Sequence, residues 1–450
     1  MTQSRHNVDL TSGSVFRQLL AFAWPVLVAD LVSQLYTLTN QLIVGNYLDT
    51  AALSAVSASI SVTMLANYFF YGVAVADGIL TANYCGARDE KNMRLAVRTG
   101  LMAALVGGLG FTIVGEIAAP FLMKISNIRP EIHAYAETYL RVYILGYAAV
   151  FITNISFFVM RSMGDSRHPL YFQSASCLLN VVLGLVFVGV LHWGVAGTAA
   201  ATVTAQLVSA LLCLRTMKRI NPDFVLDLRH PELDADFISR ILRLGVPASI
   251  QNMLIGLSTF AVQTYVNQFS NAVIAGVGVA SRVYNWVQTP TLALATTCSS
   301  FVGQNLGSGK YERVHEGIRD CLILALVIAA ALAGTIYAFA PQLVSLFDQD
   351  PEVIAAGALD VRITVFSFIP LTLSHIFNAA CRGAGNVMGP MIIAVSSQCV
   401  LRYLVVRAGL AVVFDPRVIY VSAPVCFTAA GLAATLYFYL SPWTREHHLR

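Results

Sequence analysis

Apolar stretches of 20 or more residues recur along the whole chain, separated by short polar corners. About 20 helical residues cross the hydrocarbon core of a bilayer, so this pattern predicts membrane-spanning helices. Twelve are predicted, over residues 16–45, 52–79, 95–121, 132–157, 169–191, 195–217, 238–266, 272–302, 316–344, 353–379, 389–412 and 418–440. Pro25 lies inside the first, where its missing donor and its clash with the preceding turn predict a bend. The polar stretches divide the chain into a cytoplasmic tail at 1–14, an N-lobe at 15–217, a linker at 218–237, a C-lobe at 238–440 and a second tail at 441–450.

The second set of helices repeats the first. Residues 72–94, GVAVADGILTANYCGARDEKNMR, run from an apolar helix through a glycine corner into a basic segment, and residues 293–315, ALATTCSSFVGQNLGSGKYERVH, do the same. Gly86 and Gly307 lie 221 residues apart, and Pro120 with Pro341, Arg141 with Arg362, Arg161 with Arg382, Gly164 with Gly385 and Pro169 with Pro390 keep that spacing. So many matches at one offset indicate two homologous halves.

Composition narrows the class. Of 450 residues 57% are hydrophobic and 12% charged, where a soluble protein carries about 25% charge. Mean hydropathy is +0.68. The net charge of +4 sits mostly in loops, so nucleic acid is not an expected partner. The eight cysteines form no CxxC or Cys/His cluster, and neither metal nor cofactor is expected. No Walker A run is present, so ATP is not the direct energy source, and no acid or histidine cluster suggests an enzyme. The polar start lacks the layout of a cleavable signal peptide.

Loop charge sets topology. Arg88, Lys91 and Arg94 follow the second predicted helix, Arg161 and Arg167 the fourth, Lys218 and Arg219 the sixth, Lys310 and Arg313 the eighth, and Arg382 the tenth. The positive-inside rule places these corners and both termini in the cytoplasm. Six spans per half give both halves one orientation. The expected fold is therefore all-α and integral to the membrane, with twelve helices in two six-helix lobes related by a parallel pseudo-two-fold repeat. Rocking two such bundles about a cleft would expose it to alternate sides.

Several runs together resemble the multidrug and toxic compound extrusion (MATE) family over about residues 14–440. They are Ile43-Val44-Gly45, the alanine-rich 51–59, Gly86-Ala87, Arg161-Ser162-Met163-Gly164-Asp165, Asn180, Gly245-Val246-Pro247, Gly303-Gln304-Asn305 with Gly307, and Cys381-Arg382-Gly383-Ala384-Gly385. The resemblance implies a secondary exporter of small organic, cationic or amphipathic compounds in the cell membrane. It also implies alternating access driven by H⁺ or Na⁺, with the bilayer and the organic substrate as partners. A functional monomer is expected. The competing reading is a flippase for a lipid-linked or other amphipathic precursor, which would want a large basic cavity; Arg141, Arg362 and Arg402 leave it some room.

The same resemblance implies a cation site in the N-lobe. Typical relatives carry one aspartate where this chain has Asn40 and another where it has Gly184, while Asn180 and Thr202 match. The site is thus a degenerate Na⁺ site at Asn40, Asn180 and Thr202, with neutral oxygens and no carboxylate. Carboxylates inside a membrane are costly and usually mark a pathway or a pair. Asp30, midway along the first helix, is the candidate coupling group, with a hydrogen-bonded structural aspartate as the alternative. Asp360 and His375 are the next candidates. Gln34 and Tyr36 on the first helix, Gln251 and Gln263 on the seventh and Tyr284 on the eighth are candidate substrate-pathway residues. Asp77 is read as interface structure, and Arg161 and Arg382 as topology determinants and headgroup contacts.

Overall fold

The computed structural model describes residues 9–48, 50–125, 130–224 and 234–441. Residues 1–8 and 442–450 of the expected tails and 225–233 of the expected linker lie outside the described residues.

Every regular element among the described residues is helical. In order they are α1 (Val15–Tyr47), α2 (Thr50–Gly86), α3 (Glu90–Ile125), α4 (Pro130–Ile144), α5 (Tyr147–Ser162), α6 (Arg167–Gly184), α7 (Gly194–Ile220), α8 (Ala235–Val266), α9 (Asn271–Gly307), α10 (Tyr311–Ser345), α11 (Pro351–Thr364), α12 (Phe368–Gly383), α13 (Met388–Ala394), α14 (Arg402–Val412) and α15 (Pro416–Leu440). Wide π-helical turns at Leu185–Val190 and Val395–Leu401 extend α6 and join α13 to α14.

Among the described residues nine helical stretches are long and apolar enough to cross a membrane, and α4 with α5 would make a tenth across a 52° bend. The 37-residue α2 and α9 are long enough but are not among them. Large apolar side chains stand exposed on α3 (Ile113, Val114, Ile117, Phe121) and on α6 (Leu178). In water such a surface would aggregate; toward lipid it is the expected face. The protein is an all-α, multi-pass membrane protein.

Two predicted helices are broken. The span expected over 132–157 bends at Leu145-Gly146, and the span expected over 353–379 is interrupted by a 3₁₀ turn at Val365–Ser367. Pro370 explains the second break. It has no N–H for the Phe366 carbonyl, and its ring crowds that carbonyl. Pro341 acts similarly in α10, where Phe339 leaves helical geometry (φ −105°, ψ 18°). The Tyr337 carbonyl, which Pro341 cannot use, instead accepts from Arg362 Nε at 3.5 Å.

By internal packing the chain forms two units. One holds Asp9 and Trp24–Ser249; the other holds Leu10–Ala23 together with Ile250 onward, so two of the three divisions fall inside a helix, α1 and α8. The core of the first unit joins α2, α3, α4, α5 and α7 through residues such as Phe70, Val97, Leu140, Phe151 and Cys213. The core of the second joins α9, α10, α11 and α12 through Val283, Ile336, Val361 and Leu371.

In the second unit, residues 10–14 form a strap over the corner between α9 and α10. Leu10 is fully buried. Its carbonyl accepts from Asn305 Nδ2 at 3.0 Å and from Arg313 Nη2 at 3.2 Å. Lys310 Nζ donates to the Thr11 carbonyl at 2.6 Å and Arg313 Nη1 to the Gly13 carbonyl at 2.7 Å. The two cations of this corner therefore hold the strap.

The units share local conformations at the 221-residue spacing. Gly164 after α5 and Gly385 after α12 are both left-handed, at φ 88° and 81°. Arg88 after α2 and Gly309 after α9 are left-handed too, at φ 55° and 71°. The sequence-matched Gly86 and Gly307 end their helices, and the turn itself comes two residues later.

Candidate functional site

In the first unit, the side chains of three helices converge on Thr202. Asn180 of α6 donates from Nδ2 to Thr202 Oγ1 at 3.1 Å, and the Tyr36 hydroxyl of α1 donates to the same oxygen at 3.2 Å. Thr202 in turn donates to the Thr198 carbonyl one turn back, at 3.1 Å. Its oxygen is thus fully used, accepting twice and donating once. Asn180 is buried, and its Oδ1 has no hydrogen-bond partner among the described residues.

The two positions that lack carboxylates differ in surroundings. Asn40 is half-buried in α1. Gly184 is buried at the end of α6, where a Cβ would stand 3.1 Å from Ile43 Cδ1. A hard cation wants several oxygens with at least one charged. Here the Thr202 oxygen is already saturated, and the Asn180 Oδ1 is left unengaged among the described residues. Among the described residues no group of three or more His, Cys, Asp or Glu could hold a metal ion.

Asp30 faces Arg161 of α5, Oδ1 to Nη2 at 3.7 Å. The Arg161 side chain is 11% exposed and that of Asp30 is 35% exposed. Arg161 is therefore an interior partner and not a lipid-headgroup contact. Gln34, one helical turn after Asp30, is half-buried and engaged with other groups.

In the second unit, Asp360 of α11 is buried, and its Oδ1 accepts from the Tyr284 hydroxyl of α9 at 2.7 Å and from Thr364 Oγ1 at 3.1 Å. Arg402 lies within electrostatic range of both Asp360 and Tyr284. Two predicted residues thus meet, and the sequence reading missed Thr364, although its spacing of four from Asp360 was the available signal. His375 of α12 lines a small cavity with Gln288, Thr291 and Thr372, and its Nε2 is buried without a partner among the described residues. Gln251 of α8 likewise has an unpartnered buried Oε1. Gln263 donates from Nε2 to Asn267 Oδ1 at 2.9 Å, a bond within α8 on an exposed face.

The corner between α2 and α3 is held by Asp89. It accepts from the Asn92 N–H at 3.1 Å and from Asn92 Nδ2 at 2.6 Å. Those bonds hold its carboxyl below the usual aspartate range.

Comparison with known proteins gives concordant matches. The MatE family profile matches residues 25–186 and again residues 247–406. The chain is 27% identical over 389 residues to the probable multidrug resistance protein YoeA of Bacillus subtilis, covering 85% of this chain and 84% of that one. It is 27% identical over 396 residues to the probable multidrug resistance protein YpnP of the same organism, covering 88% of each. The fold is similar to that of a MOP superfamily transporter from Pyrococcus furiosus, with a TM-score of 0.90 and 21% identity, over 99% of this chain and 100% of the other.

Proposed function

The chain belongs to the MatE family of multidrug and toxic compound extrusion transporters, which are not enzymes, and on that footing we propose that it exports small cationic or amphipathic organic compounds by alternating access. The observation that carries this reading is the double match of the family profile, once to each half of the repeat. We read twelve passes, six in each half in parallel repeat, by counting α2 and α9 with the ten apolar spans and taking α4 with α5 as one. The basic corners support cytoplasmic termini. The YoeA and YpnP relatives carry multidrug resistance names, which supports organic cations and amphipaths as cargo.

Of the two ions that drive such exporters, the proton suits this chain better. The Thr202 oxygen is already saturated, and no carboxylate stands at position 40 or 184. Asp30 and Asp360 are the candidate coupling carboxylates of their units, with Tyr36, Gln251, Tyr284 and His375 as pathway candidates.

The flippase reading is less well supported. It needs basic groups left for an anionic headgroup, but Arg141 is held by Glu137 and Glu116, Arg362 lies over the Tyr337 ring, Arg161 faces Asp30, and Arg402 lies within electrostatic range of Asp360. The test is reconstitution into liposomes with a pH gradient or a Na⁺ gradient imposed separately. A fluorescent organic cation is expected to move uphill under the pH gradient. No movement under either gradient would refute the exporter reading.

A further inference from the structure

Asp77 is the strongest exception to ordinary packing in the first unit. It lies in α2 at 0% exposure, and neither carboxyl oxygen has a hydrogen-bond partner among the described residues. The residues around it on α2 and α3, Val73, Ala74, Val97 and Leu101, belong to the apolar core. Across from it stands Gly100 of α3. A Cβ there would come within 2.2 Å of Asp77 Oδ2 and 2.6 Å of its Cγ. The bare glycine is what gives the carboxyl room.

A carboxyl retained only for structure normally accepts hydrogen bonds. Asp77 accepts none among the described residues, so interface structure, the reading favoured by its sequence position alone, does not account for it. Two further buried hydroxyls on these helices have no partners among the described residues. Thr81 lies four residues on along the same face of α2, and Thr99 sits beside Gly100.

No described cation pairs with it from the elements that pack on α2. On α3, Arg94 pairs with Asp223, and Arg98 makes no bond to it. On α4, Arg141 is held by Glu137 and Glu116, His133 faces Glu137, and the Tyr143 hydroxyl lies by Asn67. Arg161 of α5 faces Asp30, Cys213 of α7 is core, and Arg240 of α8 donates to the Tyr84 hydroxyl.

An unpaired carboxylate in such surroundings is strongly disfavoured, whereas the neutral acid is tolerated. We propose that Asp77 is a proton-binding site, neutral while its surroundings are dry and deprotonated when water reaches the Thr81 and Thr99 hydroxyls. In that step the carboxyl O–H bond breaks, the proton passes to water as hydronium, and the carboxylate is left hydrated. Reprotonation from the other side of the membrane would complete one coupling cycle. This assignment rests on the proton-driven reading above and adds to it a carboxyl that belongs to neither Thr202 nor Asp360.

The test combines infrared spectroscopy with transport. The purified wild-type protein at neutral pH should show the stretching band of a protonated buried carboxyl. Asp77→Asn should lose that band and Asp360→Asn should keep it. In liposomes Asp77→Asn should lose stimulation by a pH gradient, and its dye transport should no longer vary with pH. If Asp77→Asn does not elute as a monodisperse species, Asp77→Ala replaces it in both measurements. An identical carboxyl band in wild type and variant, or full gradient stimulation in the variant, overturns the proposal. Wild-type vesicles that ignore both gradients refute the exporter reading instead, and the band then decides Asp77 alone.

Discussion

Arg313 should control whether the strap stays docked on the second unit. Its guanidinium donates four hydrogen bonds, to the Leu10 and Gly13 carbonyls, Gln18 Oε1 and Asn305 Oδ1, at 2.7–3.2 Å. Each charge-assisted bond is worth about 1.5–3 kcal/mol in favourable surroundings, but bonds from one group are not additive and this side chain is half-exposed. Arg313→Ala should therefore cost about 2–3 kcal/mol in docking the strap. At about 1.4 kcal/mol per factor of ten, the released population rises roughly 30- to 150-fold. Hydrogen–deuterium exchange over Leu10–Gln18 reads that population directly, since the Gln18 amide is bonded to the Ser14 carbonyl. Arg313→Lys keeps the charge but not the planar fork, and should fall between wild type and alanine. Unchanged exchange over these residues in a folded Arg313→Ala protein would refute the reasoning. The buried Leu10 side chain, with the Lys310 and Asn305 bonds, would then be anchor enough.

Other positions carry predictions of their own. Asp30→Asn leaves the buried Arg161 guanidinium without its counter-charge and should cost about 1–2 kcal/mol in thermal unfolding, a figure reduced for the partial exposure of Asp30. Adding Arg161→Gln should restore part of that loss, and simple additivity of the two changes would show that the pair is not coupled. Asn40→Asp with Gly184→Asp should create measurable Na⁺ binding by calorimetry; Gly184→Asp alone should cost about 1 kcal/mol because of Ile43, and a folded double variant with no Na⁺ heat would sink the idea. Asp89 titrates below an ordinary aspartate, so its contribution is present above the unfolded-state value and fades as pH falls through the lower folded one. A stability–pH profile of Asp89→Asn should be flatter over that acidic window, and an unchanged slope would count against the Asn92 bonds as its source.

The membrane class, the repeat and the family were legible because they rest on long runs: 20-residue apolar stretches and many residues at one spacing. What escaped the sequence were features decided between helices. A mean over a window hides Gly146 and Pro370, which break two predicted spans locally. Arg161 reads as a corner cation until a partner on α1 is known. Asp77 and Gly100 lie 23 residues apart, and nothing in either helix alone says that the glycine of one makes room for the acid of the other. The neutral pocket at Asn180 and Thr202 came from the family pattern, but the Tyr36 hydroxyl that saturates it depends on how α1 packs.

The left-handed corners bear on ancestry. At Gly164 and Gly385 both copies have kept the residue that such a turn favours, while at the other corner one copy has glycine, Gly309, and its counterpart has Arg88 in the same handedness. A side chain there is strained, because left-handed geometry crowds its Cβ. The two corners thus share one backbone shape, although only one of them has the residue that makes it easy. Backbone handedness can outlast side-chain identity as a mark of gene duplication, and in this protein it pairs two corners, at 88 and 309, whose residues no longer match.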